Sequence, residues 1–411
     1  MPTMTRNQTQ MARERLAGLD WLNFCVATLQ TGFGPFIAVY LTGNKWTQGS
    51  IGLALGVGTV AMMASQVPAG ALVDVWRHKR GAVMLSTVLV AISAAMLALW
   101  PATLPVMTAQ ALHGFASCML TPAIAALTMA LVGPALFAAR IGRNARFAAI
   151  GNACGALLMG AVGTWVNSQA VFWLAAFIAV PALLALSTVH GGGHGASLNA
   201  PPPAPGSLQR LLKDRRLIAI AGCILLFHLC NAALLPLAGG TLTRQAGDSA
   251  NLLIAACIIG PQFLVALLSP SVAVAAERWG RRPVMLLGFA ALPLRAAIFA
   301  GTQDPAVMVA AQILDGISAA MLGVMLPLVA ADLTRGSGRF NLCLGLLGLA
   351  TGIGATLSTV LAGGIADLTD DRTAFLLLAL VGVVAVFAVE LVMPETRARN
   401  NWRPAAEVSA D

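Results

Sequence analysis

Twelve stretches of this chain are apolar for 19 residues or more, and almost all of its charge lies between them. Their limits are 20–42, 48–69, 81–100, 104–133, 147–167, 170–190, 216–242, 250–273, 283–301, 305–333, 341–366 and 373–393. A helix of about 20 residues crosses the hydrocarbon core of a bilayer. A strand lying alone in lipid would leave its N–H and C=O groups unpaired, so helix is the conformation expected for each stretch. Only 10% of the residues are charged and 58% are hydrophobic, against about a quarter charged in a soluble domain. There is too little polar side chain to cover a globule, and lipid must be the solvent.

The charges orient the segments. Of the 25 Lys and Arg residues, 21 lie in the two tails and in the connections after segments 2, 4, 6, 8 and 10. Lys45, Arg244 and Arg372 fall on the opposite side, and Arg295 falls inside segment 9. Cytoplasmic connections collect Lys and Arg, so both termini are expected in the cytoplasm. The same bias accounts for the net charge of +9 without any nucleic-acid partner. Residues 1–19 are polar and carry Arg6, Arg13 and Arg15. The apolar stretch that follows is too long for a secretory signal core, so none is expected. The seven cysteines (Cys25, Cys118, Cys154, Cys223, Cys230, Cys257 and Cys343) all lie in apolar segments and read as small buried residues. No metal-ligand spacing joins them, and no cofactor is expected.

The longest connection reads "HGGGHGASLNAPPPAPGSLQRLLKDRR" and follows segment 6. It is Gly-rich, then Pro-rich, then basic, the composition of a linker; His190 and His194 within it lack the fixed surroundings a metal site needs. The chain then divides into a cytoplasmic tail 1–19, a bundle 20–190, a linker 191–215, a bundle 216–393 and a cytoplasmic tail 394–411. The two bundles repeat one another. "QALHGFASCML" at 110–120 returns as "QILDGISAAML" at 312–322, with His113 exchanged for Asp315. Gln30 precedes Pro35 by five residues, as Asn231 precedes Pro236. "AGALVDVWRHKRGAVML" after segment 2 matches "VAVAAERWGRRPVML" after segment 8. The fold expected is an all-α membrane protein, with twelve transmembrane helices in two pseudo-symmetric six-helix bundles. A substrate site between duplicated halves is a known transporter plan.

These residues carry a resemblance. The chain resembles the major facilitator superfamily over nearly its whole length. That family's signature between helices 2 and 3 is matched in part, and reads here Gly70, Asp74, Arg77, Lys79 and Arg80. Val75 and Arg77 depart from it, standing where the family prefers a basic residue and Gly. The second copy has Glu277, Arg278, Gly280, Arg281 and Arg282. Helix 1, "LQTGFGPFIAVYL", is similar to a bacterial branch of the family. Two features of its drug–proton exchangers are missing. Gln110 stands where they carry Arg, four residues before Gly114, and the Gly-rich helix 5 has no Gly-Pro pair. The resemblance, with the Arg-rich and Lys-poor composition, implies a multi-pass protein of a bacterial inner membrane.

Polar groups inside a span are costly and mark candidate sites. Segment 1 has Asn23, Gln30 and Thr31; segment 4 has Gln110 and His113; segment 7 has His228 and Asn231; segment 10 has Gln312 and Asp315. The resemblance makes these four segments the cavity lining. A carboxyl and an imidazole are suited to exchange protons, so Asp315 and His113 are the candidates for proton coupling. Arg295 is the rival partner that would make Asp315 structural. Asp74, Arg77, Lys79, Arg80, Glu277, Arg278, Arg281 and Arg282 are candidate gating residues. An acid at a helix end can pair with loop arginines or with the N-terminus of a neighbouring helix. The alternative is a solvated topology anchor. Glycines recur three or four residues apart in segments 2, 5 and 11, where they allow close helix packing.

The function expected is secondary transport by alternating access: proton-linked export of a small, neutral or cationic, partly apolar molecule by a monomer. Proton-coupled import and a non-transporting receptor or scaffold are the alternatives. No nucleotide-binding loop is present for ATP drive, and no catalytic constellation for a membrane enzyme.

Overall fold

The computed structural model describes residues 6–33, 35–76, 78–189, 206–246 and 250–397. Arg77, residues 190–205 with His190 and His194, and residues 398–411 lie outside them. The helices of the first half are α1 (Arg6–Thr31), α2 (Pro35–Gly43), α3 (Gln48–Val75), α4 (Lys79–Leu99), α5 (Thr103–Trp165) and α6 (Ser168–Thr188). A short α7 (Ser207–Leu212) follows. The second half has α8 (Arg215–Asn231), α9 (Leu234–Ala246), α10 (Ala250–Trp279), α11 (Arg281–Gly301), α12 (Pro305–Gln312), α13 (Leu314–Leu333), α14 (Phe340–Leu368) and α15 (Asp371–Leu391).

Eleven helical spans among the described residues are long and apolar enough to cross a membrane, and one of them, α5, has 63 residues. A straight helix of that length would reach about 95 Å, three times the apolar thickness of a bilayer. It is broken at Gly133 (φ 70, ψ 174) into two spans, which makes twelve. Glycine adopts that φ at little cost, and Pro134 then starts the next helix where an N–H has no partner to lose. The apolar pattern predicts a connection from 134 to 146, but the helix resumes at once, and Arg140, Arg143 and Arg146 lie on it. Similarly, α1 runs back to Arg6 into the expected tail, and α7 forms within the expected linker.

Each half has its own apolar core. One extends from Leu19 to Val189. The other extends from Leu211 to Met393 and takes in Phe137, Ala138 and Ile141 of α5. Exposed tryptophans mark both membrane boundaries, Trp21 and Trp279 at the arginine-rich end and Trp100 and Trp165 at the other. Six cysteines are buried, as expected, and Cys154 is exposed.

A buried polar network ties the first half together at the arginine-rich end. Asp20 accepts from Arg140 Nη2 at 2.5 Å and from Arg143 Nη2 at 2.7 Å. Arg140 Nε donates to Asn144 Oδ1 at 2.9 Å, and Asn144 Nδ2 donates to Thr128 Oγ1 at 2.9 Å. The Arg140 side chain is 6% exposed and that of Arg143 is 58% exposed. Asp20→Asn leaves the Arg140 guanidinium without its counter-charge, and a loss of about 3–5 kcal/mol is expected. Arg143→Gln removes an exposed partner and should cost under about 1 kcal/mol. Thermal unfolding of the purified variants measures the difference; equal losses would mean that Arg140 is hydrated.

The halves meet through α3 with α14 and α5 with α10. Their contacts gather at the arginine-rich end. A Cβ on Gly70 would overlap the Asn341 carbonyl, and one on Gly142 would overlap that of Ser269. The seam runs as far as Thr356, whose Oγ1 lies 3.5 Å from Met63 Sδ. Beyond it, Gly52 and Gly56 of α3 and Gly363 and Gly364 of α14 have nothing against them among the described residues. The molecule is closed at the arginine-rich end and parted at the other.

Candidate functional site: a cavity and charge clusters between two helical halves

Two helices break at matching places. The first apolar segment stops at Thr31 and restarts at Pro35; the seventh stops at Asn231 and restarts at Leu234. Proline cannot donate to a continuing helix, so Pro35 favours the first break. At the second, the freed N–H of Ala233 donates to the buried Ser358 hydroxyl of α14 at 3.0 Å. Paired helix interruptions near mid-membrane are where transporters of this plan place substrate.

A cavity of about 230 Å³ lies beside the first break, between the halves. It is lined by Gln30 and Thr31 of α1, Asn152, Ala153 and Ala156 of α5, and Ile258, Ile259 and Gln262 of α10. Thr31 Oγ1 donates to Ala27 O at 2.9 Å and stands 3.4 Å from Asn152 Oδ1. The sequence singles out Gln30 and Thr31 but not Asn152 and Gln262; both are amides inside apolar spans, but the resemblance assigns the lining to segments 1, 4, 7 and 10. Among the lining residues there is no ionisable side chain.

The two copies of the repeated stretch share one structural role. Gly114 brings α5 against α3, where a Cβ would meet the Gly58 carbonyl; Gly316 brings α13 against α10, where it would meet that of Pro261. The glutamines four residues before them are buried, Gln110 at 4% and Gln312 at 1% exposure. Asn23 is also buried and donates to Leu19 O of its own helix at 2.7 Å. Asn23, Gln110 and Gln312 are thus buried and are not among the residues that line this cavity.

One position inside the repeat diverges. His113 stacks on Phe33, with ring centroids 3.8 Å apart and planes within 3°, and its Nε2 lies 3.1 Å from Ser117 Oγ. Phe33 belongs to the α1–α2 break, so His113 supports that break. Asp315 Oδ1 meets Arg295 Nη1 of α11 at 2.5 Å. Arg295 Nη2 also donates to Asn231 Oδ1, at the end of α8. The Arg295 side chain is 2% exposed and that of Asp315 is 27% exposed. The guanidinium thus joins three helices behind a carboxylate that is open on one side. His228, three residues before Asn231, lies edge-on to Phe227 with centroids 5.1 Å apart.

The candidate gating residues separate into two unlike clusters. Asp74 is buried and reaches across the seam. Its Oδ1 accepts from the Asn341 backbone N–H and from Asn341 Nδ2, and its Oδ2 from the Leu342 N–H, each at 2.8 Å. Asn341 and Leu342 open α14, whose N-cap residue Arg339 makes no side-chain cap. A carboxylate from the other half caps this helix, satisfying its orphan donors and its positive end. Lys79 turns inward and donates from Nζ to Val73 O at 2.5 Å and Asp74 O at 3.2 Å, holding the last turn of α3. Arg80 Nη2 reaches Ser187 O at 3.5 Å, and Arg77 lies outside the described residues.

The second copy stays within its own half. Glu277 pairs with Arg281 at 2.8 Å, and Arg281 with Asp332 at 2.9 Å. Arg282 pairs with Glu390 at 2.9 Å. Glu395 accepts the Arg281 and Arg282 backbone N–H groups at 2.9 and 3.0 Å, and the Arg278 carbonyl accepts from Arg397. The expected equivalence of Asp74 and Glu277 therefore fails in geometry: Asp74 crosses the seam, and Glu277 pairs one turn along its own half. On that side Arg146 Nε of α5 donates to Ala266 O of α10 at 2.9 Å.

The Major Facilitator Superfamily sequence profile matches residues 19–260 and 220–409. The chain belongs to this superfamily. An uncharacterized MFS-type transporter of Mycobacterium tuberculosis is 36% identical over 387 residues, covering 92% of this chain and 93% of the relative. Among solved structures, FucP in its outward conformation superposes with a TM-score of 0.71 at 15% identity, covering 91% of this chain and 97% of FucP. The nucleoside transporter NupG does so with a TM-score of 0.66 at 18% identity, covering 93% of this chain and 100% of NupG. The last two share the fold. This superfamily member is a membrane transporter with twelve spans in two related halves, and its family and relatives are transporters rather than enzymes.

Proposed function

We propose that this transporter is proton-linked and exports a small, neutral or cationic, partly apolar molecule by alternating access. The observation that carries the reading is the asymmetric seam. Three hydrogen bonds to Asp74 hold the arginine-rich ends together while the opposite ends stand apart. A carrier must alternate between this arrangement and its inverse, and a helix cap shared between halves is a contact made in only one of them. In this reading the arginine-rich end, with both termini, faces the cytoplasm of a bacterial inner membrane; the charge bias supports that side, and the state described is then open outward.

Gln30, Thr31, Asn152 and Gln262 offer donors and acceptors to substrate, and the apolar neighbours accept its carbon surface. Asp315 is the proton carrier in this reading. A proton taken up from the outer side cancels its charge and loosens its hold on Arg295, which frees α13 to move against α11. His113 and His228 assist beside the two helix breaks. One chain completes the cavity, which supports a working monomer.

Purified protein in liposomes tests the reading. Orientation is read by labelling a single cysteine at Lys45, expected on the outer face. An imposed proton gradient should drive uphill movement of a cationic or neutral test compound, and collapsing the gradient should abolish it. Movement that ignores the gradient would remove proton coupling. Uphill movement in the same direction as the proton would replace export by import.

A further inference from the structure

The cavity of about 230 Å³ between the halves has braced walls. A Cβ on Gly151 would overlap the Phe24 carbonyl, so α5 lies close against α1, and the two helices carry Asn152, Gln30 and Thr31. A Cβ on Gly316 would overlap the Pro261 carbonyl, so α13 braces α10 at the residue before Gln262. The Gln30 and Gln262 side chains are half-buried and make no hydrogen bond among the described residues. An amide inside a span is costly unless something meets its N–H and C=O groups. Gln262 is also the one polar residue that the second half contributes to the lining, beside Ile258 and Ile259.

The lining narrows the charge of an occupant. It contains no acid, no Lys or Arg and no aromatic ring. A cation entering it would give up water and gain neither a counter-charge nor a ring face. An anion would find no guanidinium or ammonium. Asp315 is outside the lining and already meets Arg295, so that pair offers no net charge to either. A primary amide donates from its nitrogen and accepts through its oxygen. Its match is a group that also does both, a hydroxyl or another amide. Ile258, Ile259, Ala153 and Ala156 suit a hydrocarbon face instead.

We propose that the occupant is net neutral, with hydroxyl or amide groups along one edge and a hydrocarbon face on the other, and that Gln262 sets this preference. The inference rests on the proposed transport function for one point, that this cavity is the substrate's. Between a neutral and a cationic substrate, it selects the neutral one.

Saturation-transfer NMR on the purified full chain in detergent tests it, with a library of matched triplets. Each triplet is one hydrocarbon ring bearing a carboxamide, an aminomethyl or a carboxylate group, such as cyclohexanecarboxamide, cyclohexylmethylamine and cyclohexanecarboxylate. The carboxamides should bind in preference. Gln262→Leu keeps the bulk without the amide and should weaken them about fivefold, the worth of one hydrogen bond. Gln262→Glu supplies a counter-charge and should pass the preference to the aminomethyl compounds. Melting temperatures near that of the parent show that each variant is folded, and either variant alone tests the role of Gln262. Aminomethyl compounds binding the parent as well as carboxamides do would overturn the proposal. So would carboxamide binding that a folded Gln262→Leu leaves unchanged, or a library in which no member binds. No gradient is applied here. A carrier that proves uncoupled, or an importer, would sink the export reading and leave this preference standing.

Discussion

Asp315→Asn should abolish gradient-driven accumulation while leaving substrate exchange measurable. Asparagine keeps the shape of the side chain and removes the group that can take up and release a proton. Exchange needs only the cavity and the motion; accumulation needs the coupling. The variant should also melt earlier. Arg295, with its side chain 2% exposed, would keep Asn231 as a neutral partner and lose the carboxylate at 2.5 Å. Leaving a buried charge uncompensated costs about 3–5 kcal/mol. Stability and coupling are separated by Asp315→Asn combined with Arg295→Gln. The double variant should recover stability, because no unpaired charge remains. Driven transport should stay lost. If driven transport returns as well, the pair is a structural brace and Asp315 is not the proton carrier.

Asp74→Asn should move the resting population toward the inward-open state by about 30-fold, taking about 2 kcal/mol for hydrogen bonds to a charged group. The amide can still accept through its oxygen, but its nitrogen would face the N–H of Leu342 donor to donor. The helix N-terminus also loses the charge that complements it. Spin labels on the arginine-rich ends of α3 and α14 read the change as a longer distance, populated in the variant and scarce in the parent. Asn341→Ala removes one of the three bonds and should shift the population less. Unchanged distances in Asp74→Asn would leave the acid as an anchor without a gating role. A residue that only anchored the topology would not need to cap a helix of the other half, which is the physical reason to expect the shift.

Some of the site was legible in the sequence. Gln30 and Thr31 do line the cavity, and the Gln30–Pro35 and Asn231–Pro236 spacings mark the two helix breaks. An amide before a proline in an apolar span is a local signal, so sequence carries it. The partners of the titratable groups were harder to read. Asp74 could equally have met loop arginines; it caps α14, reached through 267 residues of chain. Asp20 carries no such local signal, because its partner Arg140 lies 120 residues away, in a stretch whose composition reads as a connection.

The sequence by itself determined the number of spans and the duplication, and it carries the charge bias from which an orientation is proposed. A bilayer imposes a fixed apolar length and a charge bias on every segment separately, so each can be read alone. Only the tertiary structure decided which way each helix turns about its axis. That rotation buries Gln110 and Gln312 beside glycine contacts and lays His113 on Phe33. It also points Asp315 at Arg295 and leaves Glu277 with Arg281. Two halves with nearly the same pattern thereby carry different chemistry at matching positions. A side chain's partner is set by packing against another helix, and no hydropathy pattern within one helix encodes that.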